Sequence, residues 1–85
     1  MDGILNTPVT ETLLSVYGYQ KHPIYDYWFY PVNGRESAYR LEWGSYTKTW
    51  IAFLPCYRFP LVRELTTLKQ LNNLHQGFYD KSLID

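Results

Sequence analysis

Residues 24–43 read IYDYWFYPVNGRESAYRLEW. At their centre, Asn33-Gly34 is the strongest two-residue hairpin signal a sequence offers, because a type I′ turn needs positive φ at both central positions. The residues on either side are rich in aromatics, which favour strands because they pack well across a pleated surface. The stretch therefore predicts a β-hairpin, with strands over residues 24–32 and 35–43. Pro31 cannot donate to a ladder, which places the first strand at a sheet edge.

A two-residue loop pairs Val32 with Arg35 and sets the register of everything before and after it. One face then carries Ile24, Trp28, Tyr30 and Val32 opposite Trp43, Leu41, Tyr39 and Ser37. Trp28 opposite Tyr39 and Ile24 opposite Trp43 are strong cross-strand pairs, so this is the expected core face. Asp26 sits among them, opposite Leu41, and needs a hydrogen-bonding partner if buried. The other face carries Tyr25, Tyr27, Phe29 and Pro31 opposite Glu42, Arg40, Ala38 and Glu36. There Tyr27 and Arg40 can form a cation–π pair.

Outward from the hairpin, Gly44-Ser45 marks a second turn and residues 46–54 a third strand, ended by Pro55. Its register stays open: either Trp50, Ala52 and Leu54 or Ile51 and Phe53 join the core face. Residues 7–17 predict a short helix with Thr7 as N-cap, Pro8 in the first position and Gly18 as the stop. Residues 19–23 read as a connector. A second helix is expected from Pro60 or Leu61 to about Gln76, lined by Leu61, Leu65, Leu68, Leu71 and Leu74 and ended by Gly77. The tail beyond it carries Phe78, Tyr79, Leu83 and Ile84, enough apolar surface to pack rather than fray. The expected class is α+β, a three-stranded antiparallel sheet flanked by an N-terminal and a C-terminal helix (α-β-β-β-α), in a single domain over residues 1–85.

Composition narrows the function. The 85 residues carry zero formal net charge and 19% aromatics, a combination foreign to disordered tails and to strongly basic nucleic-acid binders. Of the 16 aromatics, 14 lie between Tyr17 and Phe59. The longest strongly apolar run, residues 50–54, is far short of the ~20 residues of a membrane helix, and residues 1–6 lack the features of a secretory signal. One cysteine, Cys56, excludes an internal disulfide and fits a reducing, cytoplasmic setting.

Chemistry is thin. His22, His75 and Cys56 lack the tight spacing of a structural zinc site. Cys56 with His75 as nucleophile and base, or His22 with Asp26, are pairings of residue type only. No phosphate-cradling glycine loop or paired-carboxylate motif occurs. The chain is therefore expected to be non-enzymatic, with no catalytic residue, cofactor or metal.

The expected element order is similar in topology to the double-stranded-RNA-binding domain. That family carries a lysine cluster opening its last helix and a glycine-proline-histidine loop between its first two strands. Here Pro60-Leu61-Val62-Arg63-Glu64 and Asn33-Gly34 stand at those places, so the family is not assigned. A sheet bearing Tyr27, Phe29 and Arg40 could still stack single-stranded bases, although Glu36 and Glu42 on the same face would repel phosphate.

What remains is a protein-interaction module, an adaptor or an inhibitor of a macromolecular partner. Tyr, Trp and Arg are the residues enriched at binding hot spots. The expected partner-binding residues are Tyr25, Tyr27, Phe29 and Arg40 on the sheet and Leu71 and Leu74 on the last helix. The leucines over residues 61–74 spread round roughly half of a 3.6-residue helix, more than one sheet face covers, which favours a homodimer. Nucleic-acid binding through the aromatic face is the alternative.

Overall fold

Asn33 and Gly34 have φ of 53° and 76°, the paired positive values of the expected hairpin turn. The computed structural model describes residues 3–34, 39–54 and 59–83. It is an α+β fold with an antiparallel sheet and a C-terminal helix. Among the described residues the sheet has five strands in sequential order rather than three: β1 (Gln20–Lys21), β2 (Trp28–Phe29), β3 (Arg40–Gly44), β4 (Thr49–Phe53) and β5 (Pro60–Leu65).

The register of the first expected pair differs by two residues. Trp28 pairs with Leu41 and Phe29 with Arg40, where Tyr39 and Ala38 were expected. Because side chains alternate with a period of two, a shift of two keeps the residues of the paired strands on their expected faces. Ser37, Ala38 and Glu36, named as partners from the sequence, fall in residues 35–38, outside the described residues.

The long first strand is also shorter than expected. Residues 23–26 bend away, and the segment read as a connector supplies β1, which pairs with β2. His22 organises the bend: its Nδ1 accepts hydrogen bonds from the backbone N–H of Ile24 and of Tyr25, both at 3.1 Å. The His22 backbone N–H donates to the Tyr27 carbonyl at 2.9 Å. Ile24 is consequently 80% exposed rather than packed on Trp43. Asp26 is exposed too, with an ion pair to Lys21 at 3.5 Å. The sheet edges are β1 and β5, so β2 is interior and Pro31 lies just past it.

β3 and β4 join through a four-residue turn, residues 45–48, with Trp43 paired to Trp50 and Gly44 to Thr49. This settles the third strand's open register: Trp50 and Ala52 are buried, and Ile51 and Phe53 face the other way.

Residues 60–65 are a strand, not the first turns of a helix. Val62 pairs with Ala52 and Leu65 with Trp50 across two irregularities of register. The last helix, α2 (Leu68–Tyr79), starts only after Thr67. Thr67 and Gln70 form a capping box, each side chain closing a backbone N–H of the other's turn. That Thr-x-x-Gln signature is legible in the sequence and outranks the leucine periodicity that was read across it. With Leu61 and Leu65 in β5, the leucine spread that favoured a homodimer disappears.

The first helix, α1 (Glu11–Val16), has only six residues and begins four residues later than expected. Thr10, not Thr7, caps it, its hydroxyl accepting from the Leu13 N–H at 3.1 Å. Residues 7–9 instead run beside the junction of β5 and α2. Val9 N–H donates to the Thr66 carbonyl and Leu68 N–H to the Thr7 carbonyl, each at 2.9 Å. Those bonds give the backbone of residues 7–9 partners that a helix would otherwise supply. Gly18, at φ 91°, ends α1 as expected.

The core lies on one side of the sheet. Trp28, Tyr39, Leu41, Trp50, Ala52 and Leu65 from the sheet region meet Val9, Leu14 and Tyr19 from the N-terminal part and Leu68 and Leu71 from α2. Beyond α2, Leu83 packs on this core and its N–H donates to Asn72 Oδ1 at 2.7 Å. α2 ends at Asp80, whose φ is 54°, so Gly77 is internal rather than a stop. A Cβ at Gly77 would meet nothing within 4 Å. Gly77→Ala should therefore stabilise the fold by about 0.5–1 kcal/mol, seen as a higher urea midpoint with an unchanged slope.

Candidate interaction surface

Alternation along the strands puts Phe29, Arg40, Glu42, Ile51 and Phe53 on the face opposite the core. The register lines up Phe29, Arg40 and Phe53 as cross-strand neighbours. The bend at residues 23–26 then carries Tyr25 and Tyr27 over the same side. Tyr25 and Tyr27 lie nearly parallel, 11° apart with centroids 6.4 Å from each other. Tyr27 in turn stands 6.3 Å from Phe29. The Arg40 guanidinium carbon sits 5.1 Å from the Tyr27 ring centroid, the cation–π contact expected from the sequence.

Arg40 is held from a second direction. Its Nε is 3.1 Å from a Glu42 carboxylate oxygen. That N–H makes no directed hydrogen bond, so the contact is an ion pair along the strand rather than a fork. Tyr25, Asp26, Tyr27, Arg40 and Glu42 line a shallow depression of about 370 Å³.

His22 belongs to this surface and was missed from the sequence. Its ring is 5.1 Å from Tyr25, 4.9 Å from Tyr27 and 6.4 Å from Phe29, at the hub of the aromatic row. The same Nδ1 that closes the bend fixes the ring's position, so one residue shapes the backbone and the surface together. The only hint in the sequence is the His22-Pro23 dipeptide, since proline biases its predecessor towards an extended conformation at a turn.

The six expected partner-binding residues divide. Tyr25 is 64% exposed, and Tyr27, Phe29 and Arg40 are half-buried beside it. Leu71 is fully buried in the core and Leu74 packs against it, so the α2 leucines face inward and leave the sheet residues as the surface. The inward turn follows from the helix's start at Leu68, which aligns Leu68, Leu71 and His75 on one stripe.

The titratable groups of the interior form a separate cluster where α2 meets the sheet. Tyr19 and Tyr39 share a short hydroxyl–hydroxyl hydrogen bond of 2.6 Å, and the Tyr39 hydroxyl lies 3.4 Å from His75 Nδ1. Burial pushes both phenols well above the ordinary tyrosine range. Burial likewise lowers the pKa of His75, which is 3% exposed and packed on Tyr30 and Tyr79. His75 is thus a satisfied interior histidine whose ring is closed off from solvent. Cys56, its notional nucleophilic partner, lies outside the described residues.

Among the described residues, no three His, Cys, Asp or Glu side chains are grouped as metal ligands, and no helix is long and apolar enough to cross a membrane. No family model, curated protein or solved structure matches the chain.

Proposed function

We propose that this protein is a non-enzymatic binding module that engages another protein through the face formed by His22, Tyr25, Tyr27, Phe29 and Arg40. The observation that carries this reading is the aromatic row itself, three rings and an imidazole held in mutual contact on the face of the sheet opposite the core. Exposed contiguous apolar surface on a small chain marks an interface. Tyrosine and arginine at its centre are the residues that dominate interface energetics. The row is also pre-organised: the His22 bend and the Arg40 contact hold it in place, which lowers the ordering cost of association.

Protein is favoured over nucleic acid by the state of Arg40. Its charge is already matched by Glu42 and its planar face is already laid on Tyr27. A phosphate approaching this face would meet Glu42 and Asp26 as well. With no net charge on the chain, counterion release adds little affinity.

Two titrations test the choice. Single-stranded oligonucleotide should bind poorly at every salt concentration. A partner complex recovered from the cells that express the protein should weaken by about 1–3 kcal/mol on Tyr27→Ala or Arg40→Ala, with circular dichroism unchanged. A tight, salt-sensitive oligonucleotide complex abolished by Tyr27→Ala would put the protein in the nucleic-acid class instead. Light scattering at micromolar concentration shows whether a second copy of the chain is itself the partner.

A further inference from the structure

All three tryptophans of the chain converge on one cleft, which shares only Asp26 with the depression beside the aromatic row. The cleft holds about 450 Å³, and Glu11, Lys21 and Asp26 stand among the tryptophans that line it. Trp43 and Trp50 meet edge to face, with centroids 5.3 Å apart and planes at 66°. Trp50 is buried and locked by the hydrogen bond from its indole N–H to the Val9 carbonyl at 2.9 Å. Trp43 leans on it and remains 50% exposed, so it presents ring surface to the cleft.

The charges decide what such a wall can hold. Lys21 is engaged with Asp26 at 3.5 Å, and those two charges offset each other. Glu11 has no ion-pair partner among the described residues, so the cleft carries one net negative charge beside its tryptophans. An anion would be repelled by the Glu11 carboxylate. A neutral apolar ligand would gain nothing from Glu11. A metal ion or a bare ammonium holds its water too tightly to exchange it for a tryptophan face. A weakly hydrated cation with an alkyl skirt satisfies both features, since indole is the best cation–π partner among side chains and the carboxylate supplies the counter-charge.

We propose that the three-tryptophan cleft binds an alkylated ammonium group, with Trp43 as the ring platform and Glu11 as the counter-ion. The group can come from a free quaternary ammonium compound or from an N-methylated lysine side chain, since both present the same head.

Because every tryptophan of the chain lines the cleft, intrinsic fluorescence reports occupancy directly. The purified protein would be titrated at constant ionic strength with choline, with its neutral isostere 3,3-dimethylbutan-1-ol, and with a short peptide whose one charge is that of a trimethyllysine. Choline should give a saturable change, and the isostere should bind about tenfold more weakly or worse, the cost of losing roughly 1.4 kcal/mol of cation-specific attraction. Glu11→Gln and Trp43→Leu should each weaken choline binding by a similar factor while far-ultraviolet circular dichroism stays unchanged. Tighter binding of the peptide than of choline supports the proposal and assigns the head to a methylated side chain; equal binding supports it with a free ammonium compound. Equal responses to choline and the isostere, or no saturation by choline in the millimolar range, overturn it.

Discussion

Leu71→Ala should cost about 2–5 kcal/mol and bring the urea midpoint far down. Leu71 is fully buried between α2 and the sheet, among Leu68, Leu41 and Tyr39. Removing three carbons there opens a cavity that rigid strands on one side cannot close. The whole stability of a chain this size is of order 5–10 kcal/mol, so the loss is a large share. Leu74→Ala, at a half-buried position on the rim of the same core, should cost clearly less. Urea unfolding followed by circular dichroism separates the two. Equal, small effects at both positions would mean that α2 does not dock as described and that its leucines are free for a partner after all.

Acid should destabilise the protein through His75. Its ring is buried and neutral, packed on Tyr30 and Tyr79 with the Tyr39 hydroxyl nearby, and burial lowers its pKa in the folded state. In the unfolded chain a histidine titrates near 6.5. Below that pH the unfolded chain takes up a proton that the folded protein refuses, so stability falls as pH drops from about 7, by up to about 1.4 kcal/mol per unit. The fall levels off only below the folded-state pKa. His75→Leu, which keeps apolar bulk and removes the titrating group, should flatten the dependence between about pH 7 and 5. The parent and His75→Leu sharing one unfolding profile over that range would show that another group governs the acid limb.

The outcome of reading the sequence depended on how local each signal was. Asn33-Gly34 carries its own backbone requirement, and both residues take the positive φ that was read for them. The division of faces survived the two-residue slip because parity, not pairing, decides which side a residue occupies. Hence the contact of Arg40 with Tyr27 was legible although the strand register was not. Leu61 and Leu65 misled because their spacing with Leu68 suits a helix, while their strand is set by the pairing of Val62 with Ala52 and of Leu65 with Trp50. The Thr67 and Gln70 pair was the local evidence against a continuous helix, and Thr10 competed with Thr7 in the same way at α1. His22 was beyond reach, since its place at the hub of the aromatic row follows from a bend that its own ring closes.

The claim that the aromatic row is the working surface is tested most directly by photo-crosslinking in the cells that express the protein. A benzophenone side chain would replace Tyr25, at the open end of the row, or Tyr46, which is fully exposed in the turn between β3 and β4. Both sites tolerate bulk, so neither substitution should disturb the core. Tyr25 should yield a discrete protein adduct that disappears when Arg40→Ala is added, and Tyr46 should not. The same adduct from both positions, or one from Tyr46 alone, would contradict the account.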